Sequence, residues 1–263
     1  MRTFRFILIL LVAFGVAGFS GAADAKTGVI LMHGKGGTAK AKSPIGKLIS
    51  TLEDAGFIVA APDMAWSRSR GLDKDYEASM ADIDEAVKEL KAKGATRIVV
   101  GGHSMGANAA LGYGARRDGI AGILAMAPGH VPDVAGFQKQ VGHDYRRARE
   151  MVAAGRGDEV TAFNDFNQGT GNSITTKASV YLSWFDPEGP AIFPKNAAAL
   201  KPGTALMWIV GENDNILKRG DNEDYAFNKA PAHPKNLYVV VGGGHMATPR
   251  IGAERIIEWL KGL

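Results

Sequence analysis

The chain of 263 residues contains no cysteine, which excludes disulfides, thiolate catalysis and a cysteine-linked lipid anchor. Net charge is also scarce, at +4 for the whole chain. No Lys/Arg-rich arm and no basic stripe interleaved with aromatics is present, so the pI of 9.2 does not point to nucleic acid. The six histidines show no H-E-x-x-H and no carboxylate-rich metal spacing, so no catalytic metal is expected. The stretch HGKGG fails as a phosphate loop because Lys35 is followed by Gly36 rather than Ser or Thr. No nucleotide or other cofactor is therefore expected. Internal repeats, low-complexity tracts and charged linkers are absent as well.

What is present begins with MRTFRFILILLVAFGVAGFSGAADA, in which Arg2 and Arg5 precede an apolar run from Phe6 to Phe19. Small residues follow, and Ala23 and Ala25 form an A-x-A site, so residues 1–25 read as a signal peptide cleaved before Lys26. The apolar core is short for a membrane span. Export to the periplasm or the medium is the expectation, with no stable membrane anchor after cleavage. Removing 1–25, with Arg2, Arg5 and Asp24, takes the formal charge from +4 to +3. The remaining residues 26–263 suffice for one domain with a sizeable core.

Short apolar runs alternate with longer amphipathic segments, as in a parallel sheet covered by helices. Strands are expected at 27–32, 57–61, 97–101, 119–125, 204–210 and 236–241. They are mostly continuous apolar runs, as strands buried on both faces require. Helices are expected at 44–55, where Ser43 is an N-cap candidate ahead of Pro44, and at 76–93, with Met80, Ile83, Val87 and Leu90 on one face. Two more are expected at 104–116 and 250–260. The expected fold class is α/β: three layers, a mostly parallel sheet of about six strands, helices on both faces. The interval 130–202 is too long for one strand-to-strand return. Its first half, FQKQVGHDYRRAREMVAAG, has helical spacing through Val141, Tyr145, Ala148 and Met151. We expect 130–202 to be a cap insertion over the site.

The chemistry enters at RIVVGGHSMGANAAL, residues 97–111, where Gly102, Ser104 and Gly106 satisfy G-x-S-x-G. This spacing turns a strand so sharply into a helix that the serine side chain stands exposed. A serine hydroxyl attacks only when a base takes its proton, and a third group must hold that base in the right tautomer. The strand TALMWIV runs into GENDN and places Asp214 at its exit; NLYVVV runs into GGGHM and places His245 at the next. Ser, Asp, His is the order expected when the three stand at successive strand ends. Glu212, Asp221 and Asp133 are alternative acids. His103 and His33 read as packing or turn-fixing residues rather than second bases.

With GHSMG, LMHGKGG and both loops in order, the chain after the leader resembles an α/β-hydrolase. The strand before His33 begins almost at the expected cleavage site, so the sheet is expected to lack the first two strands of the full family sheet. The resemblance is therefore to a compact variant, as among the shorter lipases and dienelactone-hydrolase-like members. It implies that Ser104 attacks a carbonyl carbon, that His245 accepts and later returns the proton, and that Asp214 orients the imidazole. It also implies an oxyanion hole from the backbone N–H of Met105 and that of Lys35, with Gly36 as the alternative.

The segment PDMAWSRSRGLDKDY follows the second strand, and Trp66, Arg68 and Arg70 are candidate substrate contacts. Salt bridges from these arginines to Asp73 or Asp75 are the competing reading. The expectation is an exported serine hydrolase acting on a small-molecule ester through an acyl-enzyme. Amidase, acyltransferase and perhydrolase activity would use the same residues, and a catalytically silent binding protein on the same scaffold is the rival class. A histidine base predicts activity that rises with pH, typically around 6 to 7.

Overall fold

Successive side chains of β1 (Thr27–Met32) enter different cores. Val29 and Leu31 join one cluster, Ile30 and Met32 the other. This is the period-two consequence of a strand buried on both faces. The computed structural model describes residues 26–216 and 222–263. The leader assigned to 1–25 and the alternative acid Asp221 lie outside the described residues.

After β1 come α1 (Gly46–Asp54), β2 (Ile58–Ala60), α2 (Tyr76–Ala92), β3 (Arg97–Ser104), α3 (Met105–Arg116) and β4 (Gly122–Pro128). The interval that follows holds α4 (Ala135–Ala153), the hairpin β5 (Val160–Asn167) and β6 (Thr170–Lys177), α5 (Ala178–Phe185) and α6 (Phe193–Ala198). The main sheet resumes with β7 (Ala205–Gly211), α7 (Asn222–Tyr225), β8 (Leu237–Val241), α8 (Thr248–Ile251) and α9 (Ala253–Gly262). The six-stranded sheet has the order β2-β1-β3-β4-β7-β8. All of its pairs are parallel. Leu48 and Leu52 of α1 and Ile256 and Leu260 of α9 cover one face, while α2 and α3 cover the other with Met80, Ile83, Leu90 and Leu111. The sheet is thus the middle of three layers, as the alternation of runs implied.

Two local expectations are corrected. The first helix starts at Gly46 rather than at Pro44, and Ser43 caps nothing: the 40–46 segment closes turns instead, with Ser43 N–H on the Lys40 carbonyl and Gly46 N–H on that of Ser43. The C-terminal helix is interrupted at Gly252, dividing it into α8 and α9. By contrast α2 begins where the sequence signals it, because the Asp75 carboxylate accepts the Ala78 N–H at 2.7 Å.

The insertion is a self-packed unit. Asp144 of α4 accepts the Asn164 N–H at 2.5 Å, and the Tyr181 hydroxyl donates to the Asn164 carbonyl at 2.6 Å. Phe163, Tyr181 and Phe185 stack with centroids 4.4 and 4.0 Å apart. Trp184 fastens it to the main body by donating to the Lys74 carbonyl at 3.0 Å and meeting Trp66 and Tyr76 edge-on.

Candidate active site

Ser104 ends β3 with φ 57° and ψ −117°, a conformation that costs a non-glycine residue about 1–3 kcal/mol. The neighbouring glycines permit it. A Cβ on Gly102 would lie 2.3 Å from the Gly106 carbonyl carbon, and one on Gly106 would lie 2.6 Å from the Met32 oxygen. The register between β3 and β4 also slips between His103 and Ser104. Chain crossing and strain together put the serine at the point where strand becomes helix, and Met105 opens α3. The first N–H groups of a helix have no intrahelical acceptor and carry the positive end of its dipole.

Asp214 and His245 come from the exits of β7 and β8. The His245 Nδ1–H donates to Asp214 Oδ2 at 2.8 Å, and the other carboxylate oxygen accepts the Ile216 N–H at 3.0 Å. Both side chains are buried. With Nδ1 committed as donor, Nε2 carries the lone pair, and this buried atom has no hydrogen-bond partner. A Cβ on Gly129 would lie 2.7 Å from Ser104 Oγ and 3.5 Å from His245 Cε1. Hydroxyl and imidazole are therefore neighbours across this glycine, although Ser104 does not donate to Nε2. Of the alternative acids, Asp133 accepts the Tyr225 hydroxyl at 2.6 Å and Glu212 accepts from the Asn213 amide at 3.3 Å.

Two further histidines frame the site as neutral rings. Burial, then the neighbouring His245, push the pKa of His103 down to about 3. Its Nε2–H donates to the His245 carbonyl at 3.0 Å, so His103 holds the histidine loop. His33 is lowered too, by burial first. It accepts the Met64 N–H at Nε2, 3.2 Å away, and its own carbonyl accepts the Trp66 indole N–H at 2.7 Å.

The turn after β1 approaches Ser104 from the other side. The Gly36 N–H is taken by the Trp66 carbonyl at 2.8 Å and the Gly37 N–H by that of Gly34 at 2.9 Å. The N–H of Gly36, the alternative oxyanion donor, is thus already engaged. Above Ser104 and Met105 opens a cavity of about 740 Å³, lined by Lys35, His130, Phe137, Phe166, Ile216 and Met246 among others. Val131, Val134 and the hairpin residues Asn167 and Gln168 bring the insertion into its wall.

Trp66, Arg68 and Arg70 do not line this cavity. Trp66 is buried against the His33 turn. Arg70 is held by Asp73 at 2.9 Å and Asp82 at 2.8 Å, which occupies its guanidinium as a structural tie. Arg68 borders an adjoining polar groove with Trp66, Asn172 and Ser173, which shares Lys35 and Asn167 with the cavity. The sequence reading missed the ion pair between the Lys35 ammonium and Asp165 of β5, both nearly buried. A faint signal existed: period two places Asp165 on the face of Phe163, a carboxylate on the buried side of a strand. Among the described residues no group of three or more His, Asp or Glu side chains is placed to hold a metal ion.

The sequence profile described as the alpha/beta hydrolase family matches residues 29–253. No curated protein matches the chain in sequence. Among solved structures, a monoacylglycerol lipase of Paleococcus ferrophilus superposes with a TM-score of 0.65 at 22% identity, covering 89% of this chain and 94% of that one. A thermostable carboxyl esterase of Bacillus coagulans gives 0.65 at 16%, covering 92% and 91%. An esterase of Pyrococcus furiosus gives 0.61 at 21%, covering 90% and 82%. At these identities the structures share the fold. With the profile spanning most of the sequence, the chain belongs to the α/β-hydrolase family.

Proposed function

We propose that this protein is a serine hydrolase that cleaves carboxylic esters through an acyl-enzyme. The observation that carries the reading is the Asp214–His245 hydrogen bond, which leaves His245 Nε2 as an unpartnered base beside the Ser104 hydroxyl. In this mechanism Ser104 Oγ attacks the ester carbonyl as its proton passes to Nε2, and Asp214 stabilises the resulting imidazolium. The tetrahedral oxyanion faces the N–H groups of Met105 and Lys35, each worth about 3–4 kcal/mol to the transition state. The imidazolium then protonates the leaving alcohol. Water attacks the acyl-enzyme with His245 again as base, and the acid departs. The mostly apolar wall of Phe137, Phe166, Val131, Val134 and Ile216 suits an uncharged acyl or alcohol group. Esterases and lipases among the structural neighbours agree with this reading.

One observation favours a second reading, a silent binding scaffold: Ser104 and His245 share no hydrogen bond. Such bonds are often open without substrate and tighten in the complex. The test is hydrolysis of short neutral p-nitrophenyl esters by residues 26–263. Turnover that is lost in Ser104→Ala supports the hydrolase, and binding of such esters without turnover supports the scaffold. Export with removal of 1–25 belongs to the same proposal, and a mature N-terminus at Lys26, found by mass spectrometry of the exported protein, tests it.

A further inference from the structure

The turn that supplies the Lys35 N–H is held from two directions. On one side the loop after β2 holds the turn's backbone, with the Gly36 N–H donating to the Trp66 carbonyl and the Trp66 indole N–H donating to the His33 carbonyl. On the other, the Lys35 side chain crosses to the insertion and ends on Asp165, in the middle of β5. The ammonium lies over the Phe185 ring, 5.1 Å from its centroid, and 6.0 Å from that of Phe137. Lys35 is 10% and Asp165 7% exposed, so this pair is largely withdrawn from water at the edge of the groove that Arg68 borders. A charge at such a position is held only by its partner, and removal of one member leaves the other buried and uncompensated. Two other titratable groups pack against the same rings: His130 is neutral, its pKa pushed down to about 3 by burial and then by the Lys35 charge, and the Tyr181 hydroxyl, stacked with its ring on Phe185, is held protonated by burial and then by Asp144 and Asp165. Neither supplies a substitute countercharge. Beyond Asp165, the same hairpin continues through Phe166, Asn167 and Gln168 into the cavity wall.

We propose that Asp165 is a positioning residue for the oxyanion turn: by fixing the Lys35 ammonium from the insertion, it holds the Lys35 N–H beside Ser104. This rests on the assignment of that N–H to the oxyanion hole. It makes the hairpin that walls the cavity part of the machinery that stabilises the transition state. Substrates that displace the hairpin would then be turned over slowly even when well bound.

The test is Asp165→Asn, which keeps shape and removes charge, measured beside Asp165→Glu. On a short neutral ester, kcat of Asp165→Asn falls about tenfold or more, short of the 10²–10³ expected for complete loss of a donor. KM stays within about threefold, because ground-state binding does not use the oxyanion contact. Hydrogen exchange of the amides of 34–37 accelerates while the central strands keep their protection. Asp165→Glu restores both readouts in large part. Wild-type exchange at 34–37 in Asp165→Asn overturns the inference, as does exchange raised throughout the chain, which would mark a merely structural contact. Unchanged kcat overturns it while leaving the ester hydrolase intact. If the wild type cleaves no ester and Asp165→Asn still loosens only the turn, the hydrolase reading fails and the strut stands.

Discussion

Ser104 holds a backbone conformation that serine adopts only under constraint, and that conformation presents Oγ beside an imidazole whose other nitrogen is fixed, which in the proposed mechanism arms it for attack. Removing the hydroxyl in Ser104→Ala should lower kcat/KM for esters by on the order of 10⁴–10⁶-fold, and Asp214→Asn by about 10⁴-fold through the wrong histidine tautomer. Steady-state assays of both variants, with circular dichroism confirming the fold, check this. The buried histidines make a second prediction at this scale. His103 and His130 titrate at about 3 in the folded chain, against an ordinary value of 6.5. Between these values the unfolded chain binds more protons than the folded one. Stability is therefore complete above pH 6.5 and is lost as the pH falls through this window. The melting temperature should decline from pH 6.5 downward, less steeply in His103→Gln, whose amide can still donate to the His245 carbonyl. A melting temperature independent of pH over that range would contradict the neutral burial of these rings.

At the scale of elements, the junction of β3 and α3 depends on contact between backbones. A Cβ at Gly106 would lie 2.6 Å from the Met32 oxygen and 2.8 Å from that of His33, so Gly106→Ala must part α3 from the end of β1. We expect a loss of about 1–3 kcal/mol in denaturant unfolding and a fall in kcat, since nucleophile and oxyanion turn are pushed apart together. The parallel strands were legible because each is an apolar run bounded by turns, and α2 because Met80, Ile83, Val87 and Leu90 share a face; its Asp75 cap is visible only in the structure. Helix α4 was legible from Val141, Tyr145, Ala148 and Met151, which are all buried. The β5–β6 hairpin was not. Its strands carry Thr, Asn and Gly, with Phe163 and Asp165 the buried members of β5, and cross-strand pairing rather than hydrophobic pattern defines it. The Lys35–Asp165 pair was equally hidden, since nothing local to residue 35 marks a partner 130 positions away. For Arg70 the competing reading, a salt bridge to Asp73, is the one found, with Asp82 as a second partner; that Trp66 packs against the His33 turn was not legible, because sequence shows which strand exit it follows but not what it meets there.

The whole molecule joins a doubly covered sheet to an insertion, and the cavity of about 740 Å³ lies where the two meet. Neither part encloses it alone. Phe137 and Phe166 come from the insertion, Ser104 and His245 from strand exits, and Ile216 from the acid loop. Selectivity should follow from this shared apolar wall. Each CH₂ of the ester that is buried there contributes about 0.8 kcal/mol, or about fourfold in kcat/KM. A p-nitrophenyl series should therefore rise from acetate through butyrate to an optimum, and then fall once the chain outgrows the cavity. A flat series would mean that the wall does not receive the acyl chain.

The central claim is that Ser104 is a nucleophile activated by His245. The most direct measurement is reaction of the purified protein with a fluorophosphonate, followed by peptide mapping. The account predicts one adduct, on the peptide that contains Ser104, absent in Ser104→Ala and greatly slowed in His245→Gln. No adduct on the folded wild-type protein, or an adduct whose rate is unchanged in His245→Gln, would contradict it.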